Sequence, residues 1–127
     1  MVLWSNYYSQ SGQGDRFNVF QLMSDGHLYH EGTGKWVVAQ DSTGGQEDGN
    51  QLVLWSNYHS QTSMGDDFNT FTLVDGHLLH RGLGKWVVAR DSTGSGGDGN
   101  PLVLWSNFYS QSSEGNAYNS YQFIGVQ

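Results

Sequence analysis

The chain spells nearly one phrase three times: VLWSNYYSQ at residues 2–10, LVLWSNYHSQ at 52–61 and LVLWSNFYSQ at 102–111. Trp4, Trp55 and Trp105 fall 51 and then 50 residues apart. A period of this length signals a solenoid, a propeller or a closed pseudo-symmetric β-fold, because one unit cannot bury its own apolar face and must pack on its copies. At 127 residues those copies share a single domain and a single core.

One whole unit reads DGHLLHRGLGKWVVARDSTGSGGDGNPLVLWSNFYSQSSEGNAYNSYQF. Four strand candidates recur in it. The first is His27–Glu31, repeated as His77–Arg81, and a Gly-X-Gly turn then leads to KWVVA at Lys35–Ala39 and Lys85–Ala89. After a Gly/Asp/Ser loop comes LVLW, and after a second polar loop an aromatic strand at 17–22, 68–73 and 118–123. No window keeps a helical period, and the 18 glycines fall between aromatic and β-branched clusters, where they read as turns. The expected class is all-β. In LVLW, Leu52 and Leu54 point one way and Val53 and Trp55 the other, so one face is aliphatic core and the opposite face carries a large ring toward the loop.

Composition narrows the function. A formal net charge of −7 and the absence of any basic stretch argue against nucleic acid and against membrane surfaces. There is no cysteine, hence no disulfide, no thiolate metal site and no Cys nucleophile. No signal peptide and no transmembrane run is legible, which reads as a soluble protein of unassigned location, with extracellular action left open.

The order WVVARDSTG…GNPLVLWSN…GNAYNSYQF resembles the repeat of ricin-type (R-type) β-trefoil lectins, with Asn-X-aromatic (Asn18/Phe20, Asn69/Phe71, Asn119/Tyr121) standing where that family closes on Gln-X-Trp. HLLHRGLGKWVV followed by LVLWSNYH is also similar to the galactose-binding trefoil lectins of mussels, the mytilectins. The resemblance covers almost the whole chain. It implies one β-trefoil domain over 1–127 with repeats of approximately 1–25, 26–75 and 76–127, the first lacking its first two strands. Ten strands are then expected where a trefoil has twelve, and a homodimer is expected to cover the gap, since unpaired strand edges are templates for pairing. Where ricin-type repeats carry an early Asp in the second strand, this chain has Val38 and Val88, so the resemblance passes to Asp41 and Asp91; the mussel family's His-Pro-Lys-Gly-Gly segment is replaced by AQDSTGG and ARDSTGS.

The candidate sugar-binding residues are Asp41, Trp55, Asn57 and His59 in one unit and Asp91, Trp105, Asn107 and Tyr109 in the next. The first half-unit keeps Trp4, Asn6 and Tyr8 without an Asp loop, so its site is expected to be incomplete or finished by a neighbour. Each residue type has a chemical reason and a plainer alternative. An indole at a loop is either buried packing or a platform for the apolar face of a sugar ring. Asp41 and Asp91 either bond their own turn or accept two adjacent hydroxyls. Asn and Gln offer donor and acceptor from one group, which suits a hydroxyl that gives and takes, though the same loop can simply be solvated. Trp36 and Trp86 are expected in the core, and Asp48-Gly49-Asn50 and Asp98-Gly99-Asn100 as turns.

His27/His30 and His77/His80 raise a metal reading, but His-X-X-His on a strand puts its ends on opposite faces. Ordinary hydrogen-bonded histidines are expected. The oxygen-rich segment 41–50 lacks the carboxylate spacing of an EF-hand loop. No metal and no cofactor is expected. Nor is an enzyme, because the acids sit in repeated loops and no serine lies in a Gly-X-Ser-X-Gly elbow. A duplicated weak site suits multivalent capture: a lectin and agglutinin for galactose-containing glycans. The alternatives are a non-catalytic β-trefoil protein–protein interaction module and a propeller fragment that assembles from several chains.

Overall fold

Valine, leucine and aromatic runs broken by glycine favour short pleated segments over helices. The computed structural model describes residues 2–3, 19–40, 48–58, 67–90, 100–108 and 119–121. Among these it contains nine strands and no helix: β1 Val2–Leu3, β2 Phe20–Leu22, β3 Leu28–His30, β4 Lys35–Ala39, β5 Asn50–Trp55, β6 Phe71–Val74, β7 His77–His80, β8 Lys85–Ala89 and β9 Asn100–Trp105. The protein is all-β.

Eight strands follow one antiparallel path, β2-β3-β4-β5-β9-β8-β7-β6, and β1 lies beside β9. The ends of the path approach each other: the Phe71 amide at the start of β6 donates to the Gly26 carbonyl in the β2–β3 turn at 2.7 Å. The sheet is thereby nearly closed and barrel-like. Fifty residues on, the Tyr121 amide makes the corresponding bond to the Gly76 carbonyl.

The pairing register is duplicated. Trp36 faces Trp55, Val37 faces Leu54 and Ala39 faces Leu52 across β4–β5; Trp86 faces Trp105, Val87 faces Leu104 and Ala89 faces Leu102 across β8–β9. The LVLW strands also meet one another head to tail. The start of β5 pairs with the end of β9 (Asn50 with Leu104), and the start of β9 pairs with the end of β1 (Asn100 with Leu3).

The core lies where the alternation of LVLW places it. Leu52, Leu102 and Leu104 pack with Leu28, Val37, Ala39, Phe71, Leu78 and Val87, and Leu54 closes against them. Burying each such aliphatic side chain contributes about 1.5–3 kcal/mol. The opposite face is less open than the alternation implied, since Val38, Val88 and Val103 are fully buried on it.

Two strand expectations are revised. β6 begins at Phe71 instead of Phe68, because Phe68, Asn69 and Thr70 form a buried turn in which the Thr70 hydroxyl donates to the Asp67 carbonyl at 2.8 Å. Of the aromatic strand expected at 118–123, the described residues 119–121 are not in a strand, and the remainder lies outside the described residues.

Candidate functional site

The tight four-residue connections after His30 and His80 return the chain into β4 and β8; Gly34 and Gly84 both take φ 68°, in the left-handed region that glycine enters without strain. Each KWVV strand thus places a tryptophan on the outer face, and the strand that follows, β5 or β9, ends opposite it. Trp36 and Trp86 are half-buried and stand outside the main apolar cluster, a correction to their expected place in the core.

They belong instead to a duplicated aromatic stack. His27 stacks on Tyr58 with centroids 3.7 Å apart, and Trp36 meets Tyr58 edge-on at 5.2 Å. His77 stacks on Phe108 at 3.8 Å, and Trp86 meets Phe108 edge-on at 5.1 Å. Edge-to-face ring pairs such as Trp36–Tyr58 and Trp86–Phe108 add about 0.5–1.5 kcal/mol beyond their buried area. Both stacks grip the residue directly after a candidate site residue, Asn57 or Asn107.

A buried asparagine holds the backbone of the same residue. Asn69 has no exposed surface; its Oδ1 accepts the Ala39 amide at 3.0 Å and its Nδ2 donates to the Tyr58 carbonyl at 3.1 Å. Asn119 repeats both bonds, from the Ala89 amide at 2.9 Å and to the Phe108 carbonyl at 3.2 Å. Each amide therefore ties the end of a KWVVA strand, two residues before Asp41 or Asp91, to the segment that carries Asn57 or Asn107. In the sequence these asparagines stand out only as parts of a closing motif. The signal available was their constant spacing, 30 residues after Ala39 or Ala89 and 11 after Tyr58 or Phe108.

His27, His30, His77 and His80 are buried; the rings of His30, His77 and His80 are hydrogen-bonded, and His27 Nδ1 lies 3.0 Å from Asp25 Oδ1. His80 Nδ1 accepts the Leu83 amide at 3.1 Å, which leaves the proton on Nε2 to donate to Asn69 Oδ1 at 2.9 Å. Burial pushes its pKa down to about 4, so the ring is neutral at pH 7. His30 Nδ1 accepts the Thr33 amide at 3.2 Å, and burial lowers its pKa as well. His77 Nδ1 donates to the Asn119 carbonyl at 3.0 Å. His27 and His77 stack on Tyr58 and Phe108, whereas His30 and His80 pack against Phe20 and Phe71, so each His-X-X-His does divide between two faces. Among the described residues no group of three His, Cys, Asp or Glu side chains could hold a metal ion, and no helix is long and apolar enough to cross a membrane.

Of the candidate sugar contacts, Trp55 ends β5 with 36% of its surface exposed, and Asn57 is exposed two residues on. Trp105 ends β9 half-buried, followed by an exposed Asn107. Asp41, His59, Asp91, Tyr109, Trp4, Asn6 and Tyr8 lie outside the described residues. The structure thus places an indole and an amide at each of two equivalent strand ends.

Asp48 has a partnership that its place in the sequence does not announce. It sits at the turn before β5, as read, but it also reaches the neighbouring unit: Oδ1 lies 2.9 Å from Lys85 Nζ, and Oδ2 accepts the Ser106 hydroxyl at 2.9 Å. No family model matches this chain, and no curated protein matches it.

Proposed function

We propose that this protein is a β-trefoil lectin of the R-type, which captures galactose-containing glycans at repeated sites and agglutinates the cells that carry them. The observation that carries the reading is Trp55: a large indole left at the surface beside an exposed amide, on a chain segment held by the fully buried Asn69 and a ring stack. An exposed indole costs free energy in water unless something stacks on it, and a segment tied by a buried amide and a ring stack loses little entropy when it binds. The arrangement recurs at Trp105 and Asn107 over Asn119. On this reading Asp41, His59, Asp91 and Tyr109 complete the two sites, and Trp4, Asn6 and Tyr8 form the partial third.

The mechanism is non-catalytic. The ring face of a sugar packs on the indole, and its hydroxyls exchange hydrogen bonds with carboxylate, amide and imidazole groups. One such contact binds near millimolar, about −4 kcal/mol, while linked sites raise avidity roughly 10²–10⁴-fold without new contacts. β1 and the two LVLW strands, β5 and β9, meet head to tail, which fits a trefoil barrel. A homodimer is part of the proposal: among the described residues β1 pairs with β9 alone, and a free strand edge is a template for another chain.

A second reading, a β-trefoil module that binds another protein, is favoured by the exposed Leu73 and Val74 on β6, at one end of the sheet path. A glycan array separates the two. Binding confined to galactosides fits the lectin reading, and silence across galactosides, mannosides and sialosides leaves the protein-binding module.

A further inference from the structure

We infer that Asp48, Lys85 and Ser106 form, beside the indole of Trp105, a binding site for the adjacent hydroxyls of a neutral sugar, built across the junction of two repeats. The inference rests on the lectin reading and extends it to residues outside the two sites described above.

The backbone brings the three side chains together. Trp86 pairs with Trp105, so Lys85 and Ser106 stand one step further along, at the open end of the β8–β9 ladder. Asp48 arrives from the other repeat. The pairing of Asn50 with Leu104 lays the start of β5 along the end of β9, and the Gly49 amide donates to the Leu104 carbonyl at 2.9 Å. Gly49 takes φ 104°, and a Cβ there would point at Trp105 Cζ3, 3.9 Å away, so this turn passes against the indole. The carboxylate then straddles the ladder end with one oxygen on Lys85 Nζ and the other on the Ser106 hydroxyl, both at 2.9 Å.

The chemistry of that cluster is specific. Burial pushes the Asp48 pKa up, but the hydrogen bonds and charge of Lys85 and the Ser106 hydroxyl outweigh it, and the net shift is downward. Asp48 is therefore ionised at neutral pH. A carboxylate offers about four acceptor positions; the Lys85 ammonium, the Ser106 hydroxyl and the Ser106 backbone amide bear on it, leaving room for a hydroxyl donor. The Asp48 side chain is 29% exposed and that of Lys85 17%, so the cluster lies at the surface within reach of a ligand. A hydroxyl that donates to Asp48 has a fixed ammonium and a fixed hydroxyl beside it to serve its neighbour, which is the requirement of a vicinal diol. An anionic sugar would meet the carboxylate and the chain's net charge of −7, so the ligand class is neutral. The cluster is asymmetric: Lys35, the counterpart of Lys85, is exposed.

The test is a titration of isotope-labelled protein with D-galactose and with D-mannose, following the indole N–H signals of Trp55 and Trp105. In the wild-type protein both signals shift with at least one of the sugars. Asp48→Asn and Lys85→Met each weaken the Trp105 response about tenfold or more and leave the Trp55 response unchanged, while Lys85→Arg restores part of it. Ser106→Ala, the mildest change, weakens it less and serves if either charge variant unfolds. A Trp105 response equal in Asp48→Asn, Lys85→Met and wild type overturns the junction site, as does a wild-type protein in which Trp55 responds and Trp105 does not. Silence at both indoles overturns the lectin reading together with it.

Discussion

Asn69 Oδ1 holds the amide of Ala39 at 3.0 Å across 30 residues of chain. The same atom takes the proton of His80, and Asn69 Nδ2 holds the Tyr58 carbonyl, so one buried side chain joins the end of β4, the segment after β5 and the end of β7. Each bond contributes about 1 kcal/mol, and each partner orphaned in the interior costs about 1–3 kcal/mol.

Asn69→Leu therefore destabilises the fold by roughly 3 kcal/mol or more, because it strands the Ala39 amide, the Tyr58 carbonyl and the His80 ring together. Urea unfolding at pH 7 measures this. Asn119→Leu, which breaks the matching pair of bonds, is expected to fall in the same range.

Stability depends on pH through His80. Its folded pKa is about 4 against an ordinary 6.5, so the unfolded chain binds the proton first as pH falls. The contribution is fully present above about pH 6.5 and is lost progressively down to pH 4, to a limit of about 3 kcal/mol. His30, shifted in the same direction by burial, adds to the trend. The midpoint of urea unfolding measured from pH 7.5 to 4 is expected to fall, and His80→Gln flattens the part due to that ring.

Two glycines in one turn differ widely in what a side chain would cost. Gly84 has φ 68° with nothing near a would-be Cβ, so Gly84→Asn, a residue that tolerates the left-handed region, costs a few tenths of a kcal/mol. Gly82 lies against the Phe68 carbonyl and ring, and Gly82→Ala forces the backbone to move. A loss of more than about 2 kcal/mol is expected there, read by the same urea transition.

The strand faces were legible because period two writes them into LVLW: Leu52, Leu102 and Leu104 are core, and the tryptophans that follow them sit at the margin. The turns were legible from Gly34 and Gly84. What single-residue chemistry could not reveal was partnership at a distance. Asn69 and Asn119 look like any polar turn residue until β4 and the segment after β5 are folded beside them. Trp36 and Trp86, hydrophobic and inside a strand, read as core because their covering rings, Tyr58 and Phe108, come from a different strand end. Asp48 read as a turn residue for the same reason: Lys85 is 37 positions away.

On the lectin proposal, Trp55 stands at the surface to be covered by a sugar. The direct measurement is binding to an immobilised galactose-terminated glycoprotein by wild type and Trp55→Ala, beside the thermal midpoint of each. Expected is a loss of binding of about tenfold or more in a protein that still folds cooperatively, its midpoint lowered only by the buried part of the ring, since 36% of the residue's surface is exposed. Equal binding by the two proteins, or a midpoint that collapses with the ring removed, would contradict it.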